Sequence, residues 1–231
     1  MYALNVQDIV RFLRQFAPRS HFEGVNDAAL NAQPANGTTQ GASEAELPEA
    51  LQPLYVEVRL ETGEREGKVY TRWHLFPDGA PIYTMEIDPE HERQLLAFRC
   101  RNLPLVETGT PLARPELLDA INSVNLLMEP AHFFLDDGHG EPTLNFIYTV
   151  PADNNHFSYE QLKRMAIETM LWVSCLVPEL QRVAQGAMSP EAFLHWLQER
   201  SEQLFKGSAD ERMRWWLERC LEASGEGKPM S

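Results

Sequence analysis

Apolar positions recur at two periods along this chain, and each change of period marks a new element. Val6, Ile9, Val10, Leu13 and Phe16 share one stripe at helical spacing. The pattern predicts a helix capped by Asn5, with Asp8 three residues on in a variant of the capping box, and ended by Pro18. From 54 the period falls to two. Val56, Val58 and Leu60 alternate with Glu57, Arg59 and Glu61, which predicts a strand with one dry and one wet face. Three more strands are expected over 68–76, 81–88 and 94–101. Pro77-Asp78-Gly79 and Asp88-Pro89-Glu90 turn the chain between them. In the fourth strand Leu96, Phe98 and Cys100 face inward, and Arg99 and Arg101 face outward. Connections this short imply an antiparallel meander.

Helical spacing returns after Pro115, which suits the first position of a helix. Leu117, Ile121, Val124 and Met128 fall on one face with Leu118 beside them, and Pro130 stops the helix. A hairpin follows over 132–136 and 143–150, around Asp137-Gly138-His139-Gly140. Its second strand carries Leu144, Phe146 and Tyr148 on one face and Ile147 on the other, as a central strand would. Ser158 and Gln161 form a capping box for a helix that runs to about 185, where Gly186 ends it; Pro178 is expected to kink it. Between Met165 and Val177 this helix is apolar nearly all round. One sheet covers only one side of a helix, so the other side requires a partner. Two further helices are read over 189–206 and 209–223, capped by Ser189 and Ser208.

These elements predict an α+β protein: an antiparallel β-sheet meander packed on one face by helices, with a helical C-terminal appendage. The chain divides into an N-terminal helix over 1–23, a flexible linker over 24–50, an α+β domain over 51–186, a helical extension over 187–224 and a frayed tail over 225–231. The linker reading rests on small and polar residues, with only Val25, Leu30 and Leu47 as sizeable apolar side chains.

Charge narrows the function classes. The 231 residues carry 34 acidic against 20 basic side chains, a formal net charge of -14. Nucleic-acid binding draws on cationic side chains that release counterions, and docking on an anionic membrane draws on the same charge, so neither partner is expected. No secretory signal is read at the start, because Asp8, Arg11 and Arg14 interrupt any apolar run, and no stretch is long enough for a membrane span. A cytoplasmic protein is expected. Cys100, Cys175 and Cys220 are scattered, with no CxxC, and are read as small buried hydrophobes.

Several stretches carry a likeness. Arg114 through the NxxN of Asn122 and Asn125, the hairpin HFFLDDGHGEPTLNFIYTV, and the helix start Ser158-Tyr159-Glu160-Gln161-Leu162 together resemble the YbjN-like family, bacterial proteins described as sensory transduction regulators. That family looks like the class I type III secretion chaperones in fold. The likeness covers roughly 54–185. This chain departs from it in having four strands before the second helix instead of three, a linker after the first helix, and a helical extension. The resemblance implies an interaction protein, often dimeric, with no catalytic residues to carry over. Asn122 and Asn125 match its motif without an established chemistry. Physically, amides near a helix end suit a clamp onto the following hairpin.

Candidate chemistry is sparse. Asp136, Asp137, His139 and Glu141 crowd one turn and offer ligands for a divalent ion. A calcium loop starting at Asp136 would place Gly sixth and Glu twelfth, whereas Glu141 and Ile147 stand there. Asp-Gly is foremost a hairpin turn. No phosphate loop, GxSxG or HExxH occurs. The expectation is a non-catalytic protein-binding or chaperone-like module with no cofactor and no metal. A metal-dependent hydrolase using the 136–141 cluster, or a structural subunit, is the alternative. The candidate interface is the second apolar side of the long helix, with Met165, Met170, Leu171, Trp172 and Leu176, together with Trp215, whose neighbour Trp216 points about 100° away. Either a second subunit, giving a homodimer, or the chain's own appendage covers that side.

Overall fold

The computed structural model describes residues 2–17, 21–23, 55–62, 67–74, 83–106, 111–138, 142–152 and 156–224. The linker over 24–50, the turn at 77–79, residues 139–141 and the tail from 225 lie outside these. The strands are β1 (Tyr2–Ala3), β2 (His21–Glu23), β3 (Tyr55–Thr62), β4 (Gly67–His74), β5 (Tyr83–Glu90), β6 (Leu95–Leu103), β7 (Ala131–Asp136), β8 (Thr143–Pro151) and β9 (His156–Phe157). The helices are α1 (Val6–Phe16), α2 (Arg114–Asn125), α3 (Tyr159–Ala184), α4 (Pro190–Glu199), α5 (Ser201–Phe205) and α6 (Ala209–Ser224), with a short 3-10 turn at His91–Arg93.

The chain is α+β, as its periodicity predicts. β3 to β6 form the expected antiparallel meander, and the hairpin joins it through β8, giving the order β2-β3-β4-β5-β6-β8-β7. β8 is therefore internal, as Ile147 on its second face suggested. Two pairings were not foreseen. β2 runs parallel to β3, and β1 pairs with β9 in a separate two-stranded piece. Both involve strands of two or three residues, too short to show a period.

One face of the sheet builds the core. Val69, Ile87, Phe98, Tyr148 and Ala131 stand in register across five strands, all buried. α1 lies over β4, α3 over β6 and β8, and α2 against β7. The opposite face is a ladder of charge. Lys68 Nζ lies 3.0 Å from Glu86 and 3.2 Å from Asp88, Arg101 Nε lies 3.2 Å from Glu86, and Arg99 pairs with Glu86, Asp88 and Glu90. Opposite charges on neighbouring strands stabilise the pairing and keep this face polar.

Local signals place the helix starts well. Asn5 Oδ1 accepts from Asp8 N at 2.8 Å, though the Asp8 carboxylate accepts from Ala3 N in place of closing the box. Ser158 and Gln161 close a full capping box, and Ser208 with Glu211 forms another. Gly186 takes φ +70 after α3, the left-handed turn for which glycine carries no Cβ penalty. Helix ends deviate more. α2 stops at Asn125, short of Met128, although Met128 is buried as expected. The helix expected over 189–206 is two, α4 and α5, broken at Arg200 (φ -107, ψ 3), whose guanidinium lies over the Trp196 ring at 5.3 Å. Pro178 lies inside the continuous α3.

The hydrophobic core is continuous from Tyr2 to Leu217. The N-terminal helix and the C-terminal extension, divided from the central domain in the sequence reading, share one interior with it.

Candidate functional site

Every residue of α3 from Met165 to Val173 is buried. Of the candidate interface residues, Met165, Met170, Leu171, Trp172 and Leu176 are all at most 4% exposed. They offer no docking surface: the sheet, α1, α2 and the chain's own appendage enclose the helix between them. The Trp172 ring lies 6.1 Å from that of Phe205, its Nε1 donates to Leu204 O at 2.9 Å, and Arg212 of α6 donates to Glu168 and to Leu204 O. Trp216 is core and Trp215 is half-buried, with Arg219 over its ring at 5.4 Å. α3 leaves no exposed apolar face on which a second subunit could pack.

The acidic turn is committed to structure. Arg114 at the start of α2 donates to both oxygens of Asp137, at 2.8 and 2.5 Å. These bonds hold the Asp137 carboxyl below the usual carboxylate range. Asp136 Oδ1 accepts from Gly138 N at 2.9 Å, a local turn bond. Among the described residues no three His, Cys, Asp or Glu side chains group as metal ligands; His139 and Glu141 lie outside them. Burial pushes the Cys100 thiol well up, so it is no nucleophile at neutral pH. Cys175 is half-buried.

The two asparagines part company. Asn125 Nδ2 donates to Phe133 O at 2.9 Å and its Oδ1 accepts from Phe133 N at 2.8 Å, the clamp expected of the motif. Asn122 is exposed on the outer face of α2.

That outer face carries what the sequence reading missed. Leu118, Asn122 and Leu126 stand at i, i+4 and i+8, so they form one stripe. Leu126 is 85% exposed and the adjacent Leu127 is 48% exposed. The large apolar side chains exposed among the described residues are Leu118, Leu126 and Leu127, Phe134 on β7 and Leu194 on α4. β7 and α4 both pack against α2, as does α3. The signal was present in the spacing: Leu118 and Leu126 fall off the core line of Leu117, Ile121 and Val124, yet on a line of their own. Acids border the stripe. Asp119 shares its face, Glu116 lies one turn before, and Glu129 follows in the turn; all three are exposed.

No helix among the described residues is long and apolar enough to cross a membrane. In comparisons with known proteins, the chain matches no protein-family model, no curated protein and no solved structure.

Proposed function

We propose that this chain is a non-catalytic, chaperone-like protein-binding module that works in the cytoplasm and engages its partner through the outer face of α2. One observation carries the reading: the large apolar side chains known to be exposed among the described residues lie on α2, its following turn, and two elements that pack against α2, β7 and α4. Burying a leucine is worth about 1.5–3 kcal/mol relative to leaving it in water. A partner that covered Leu118, Leu126 and Leu127 would recover that energy. The likeness to the YbjN-like family agrees with an interaction role, and the site moves from α3 to α2.

The test is a triple variant, Leu118→Ser/Leu126→Ser/Leu127→Ser, checked for native circular dichroism. A protein that co-purifies with the wild type should be lost from the variant. The same protein, purified, should bind the wild type at least about tenfold more tightly, as the loss of even one buried leucine requires. Equal affinities would remove α2 as the site.

A further inference from the structure

The α2 stripe combines exposed leucines with acids that no cation among the described residues meets, and this names the class of partner. Many acids elsewhere among the described residues pair with cations of the same chain, Glu179 with Arg182 at 2.8 Å, Asp210 with Lys163 at 2.8 Å and Glu86 with Lys68 at 3.0 Å, while exposed Glu92, Glu191 and Glu218 do not. The acids around the stripe are unpaired among these residues and stand beside exposed leucines. Glu116, Asp119 and Glu129 are exposed, and no cation among the described residues reaches any of them. Arg114 is the one arginine or lysine between 111 and 138, and Asp137 holds both arms of its guanidinium.

We infer that the partner of the α2 stripe is a cationic, apolar-faced protein segment, an amphipathic basic helix, with its apolar side on Leu118, Leu126 and Leu127 and its basic residues on Asp119 and Glu129. This rests on the protein-binding reading of the same stripe. Charge complementarity selects among occupants. A second copy would set Asp119 and Glu129 against their own kind, and like charges brought together across an interface cost affinity. An anionic bilayer meets the same repulsion. A basic helix supplies the cations that the chain itself omits here, and a helix face with a leucine line is a common receptor for such segments.

The probes are two helical peptides of one pattern, Leu/Lys and Leu/Glu, titrated by fluorescence anisotropy. The Leu/Lys peptide should bind at least about tenfold more tightly than Leu/Glu. The preference should shrink between about 0.1 M and about 1 M salt, over which the screening length falls from about 10 Å to about 3 Å. Leu126→Ser and Asp119→Lys should each weaken Leu/Lys binding about tenfold. Glu92→Lys, the same change of net charge at an exposed site on the 3-10 turn, should leave it unaltered. Equal weakening by Asp119→Lys and Glu92→Lys, or equal binding of both peptides, overturns the inference, because only general attraction to an acidic chain would then be at work. A partner protein lost with Leu126→Ser but not displaced by Leu/Lys overturns the charge inference and leaves the protein-binding reading standing. A partner indifferent to Leu126→Ser overturns both.

Discussion

Arg212, on the last helix, and Glu168, in the middle of α3, form an ion pair that solvent barely touches: their side chains are 5% and 1% exposed. The same carboxylate accepts from Tyr148 Oη of β8 at 2.8 Å and from Arg164 Nε at 2.9 Å. One buried charge thus joins the sheet, the long helix and the appendage. Removing one member of a buried pair costs about 3–5 kcal/mol when the other is left unpaired, and the low end applies to Glu168, which keeps Arg164 and Tyr148. Arg212→Leu should destabilise the protein by about 3 kcal/mol in urea denaturation. Glu168→Leu/Arg212→Leu should lose at least about 1 kcal/mol less than the sum of the single variants, because the two contacts are one. Strict additivity would mean that the pair does not hold the appendage.

The phenol beside that carboxylate sets an alkaline limit. Burial, with the Glu168 carboxylate adding to it, pushes Tyr148 well above the usual phenol range, and burial pushes Tyr159 up to about 12. The unfolded chain loses these protons near pH 10, while the folded chain keeps them. Stability from these groups is therefore fully present below about pH 10 and is lost as pH rises through the folded values. Urea midpoints should fall between about pH 10 and 12. Tyr148→Phe, with one site fewer to titrate, should show a shallower fall, and parallel curves would rule Tyr148 out as a source.

Asn125 ties both backbone groups of Phe133 on the outer edge of β7. Met128 O accepts from Ala131 N at 2.6 Å on the same strand. An edge strand with free donors and acceptors invites pairing with another chain. Asn125→Ala should cost about 1–3 kcal/mol, two hydrogen bonds at a partly buried site. It should also make light scattering depend on concentration where the wild type does not. A variant that stays as stable as the wild type would reduce the clamp to a bystander.

Deleting 187–231 removes Phe193, Leu204, Met213, Trp216 and Leu217 from the core, and Phe205 packed against it. Trp172 and its neighbours on α3 would then face water. The truncated chain should aggregate or newly associate, followed by analytical ultracentrifugation. A soluble truncated monomer would show that the sheet alone encloses α3.

Helix starts were legible because each is settled within three or four residues: Ser158 with Gln161, Asn5 with Asp8. Strand faces were legible for the same reason, since Leu96, Phe98 and Cys100 point inward whatever lies above them. The break at Arg200 was not, because the stripe of Phe193, Leu197, Leu204 and Phe205 runs through it and its stacking on Trp196 is a matter of packing. The α2 stripe was half legible. Leu118 stood out beside the core line, but an apolar residue next to a core face reads as core until the neighbouring elements are in place.

The sequence by itself determined the α+β class, the antiparallel meander and the need for α3 to be covered on a second side. These follow from periodicity and composition, which are local. Only the tertiary structure decided what covers it. Glu168 and Arg212 are 44 residues apart, and nothing around either one predicts the other. Their pairing depends on how α6 docks, and docking depends on the sum of many weak contacts between distant segments. For the same reason the candidate surface moved from α3 to α2: hydrophobicity along a chain says that a side chain seeks cover, and only the packed fold shows which ones have found it.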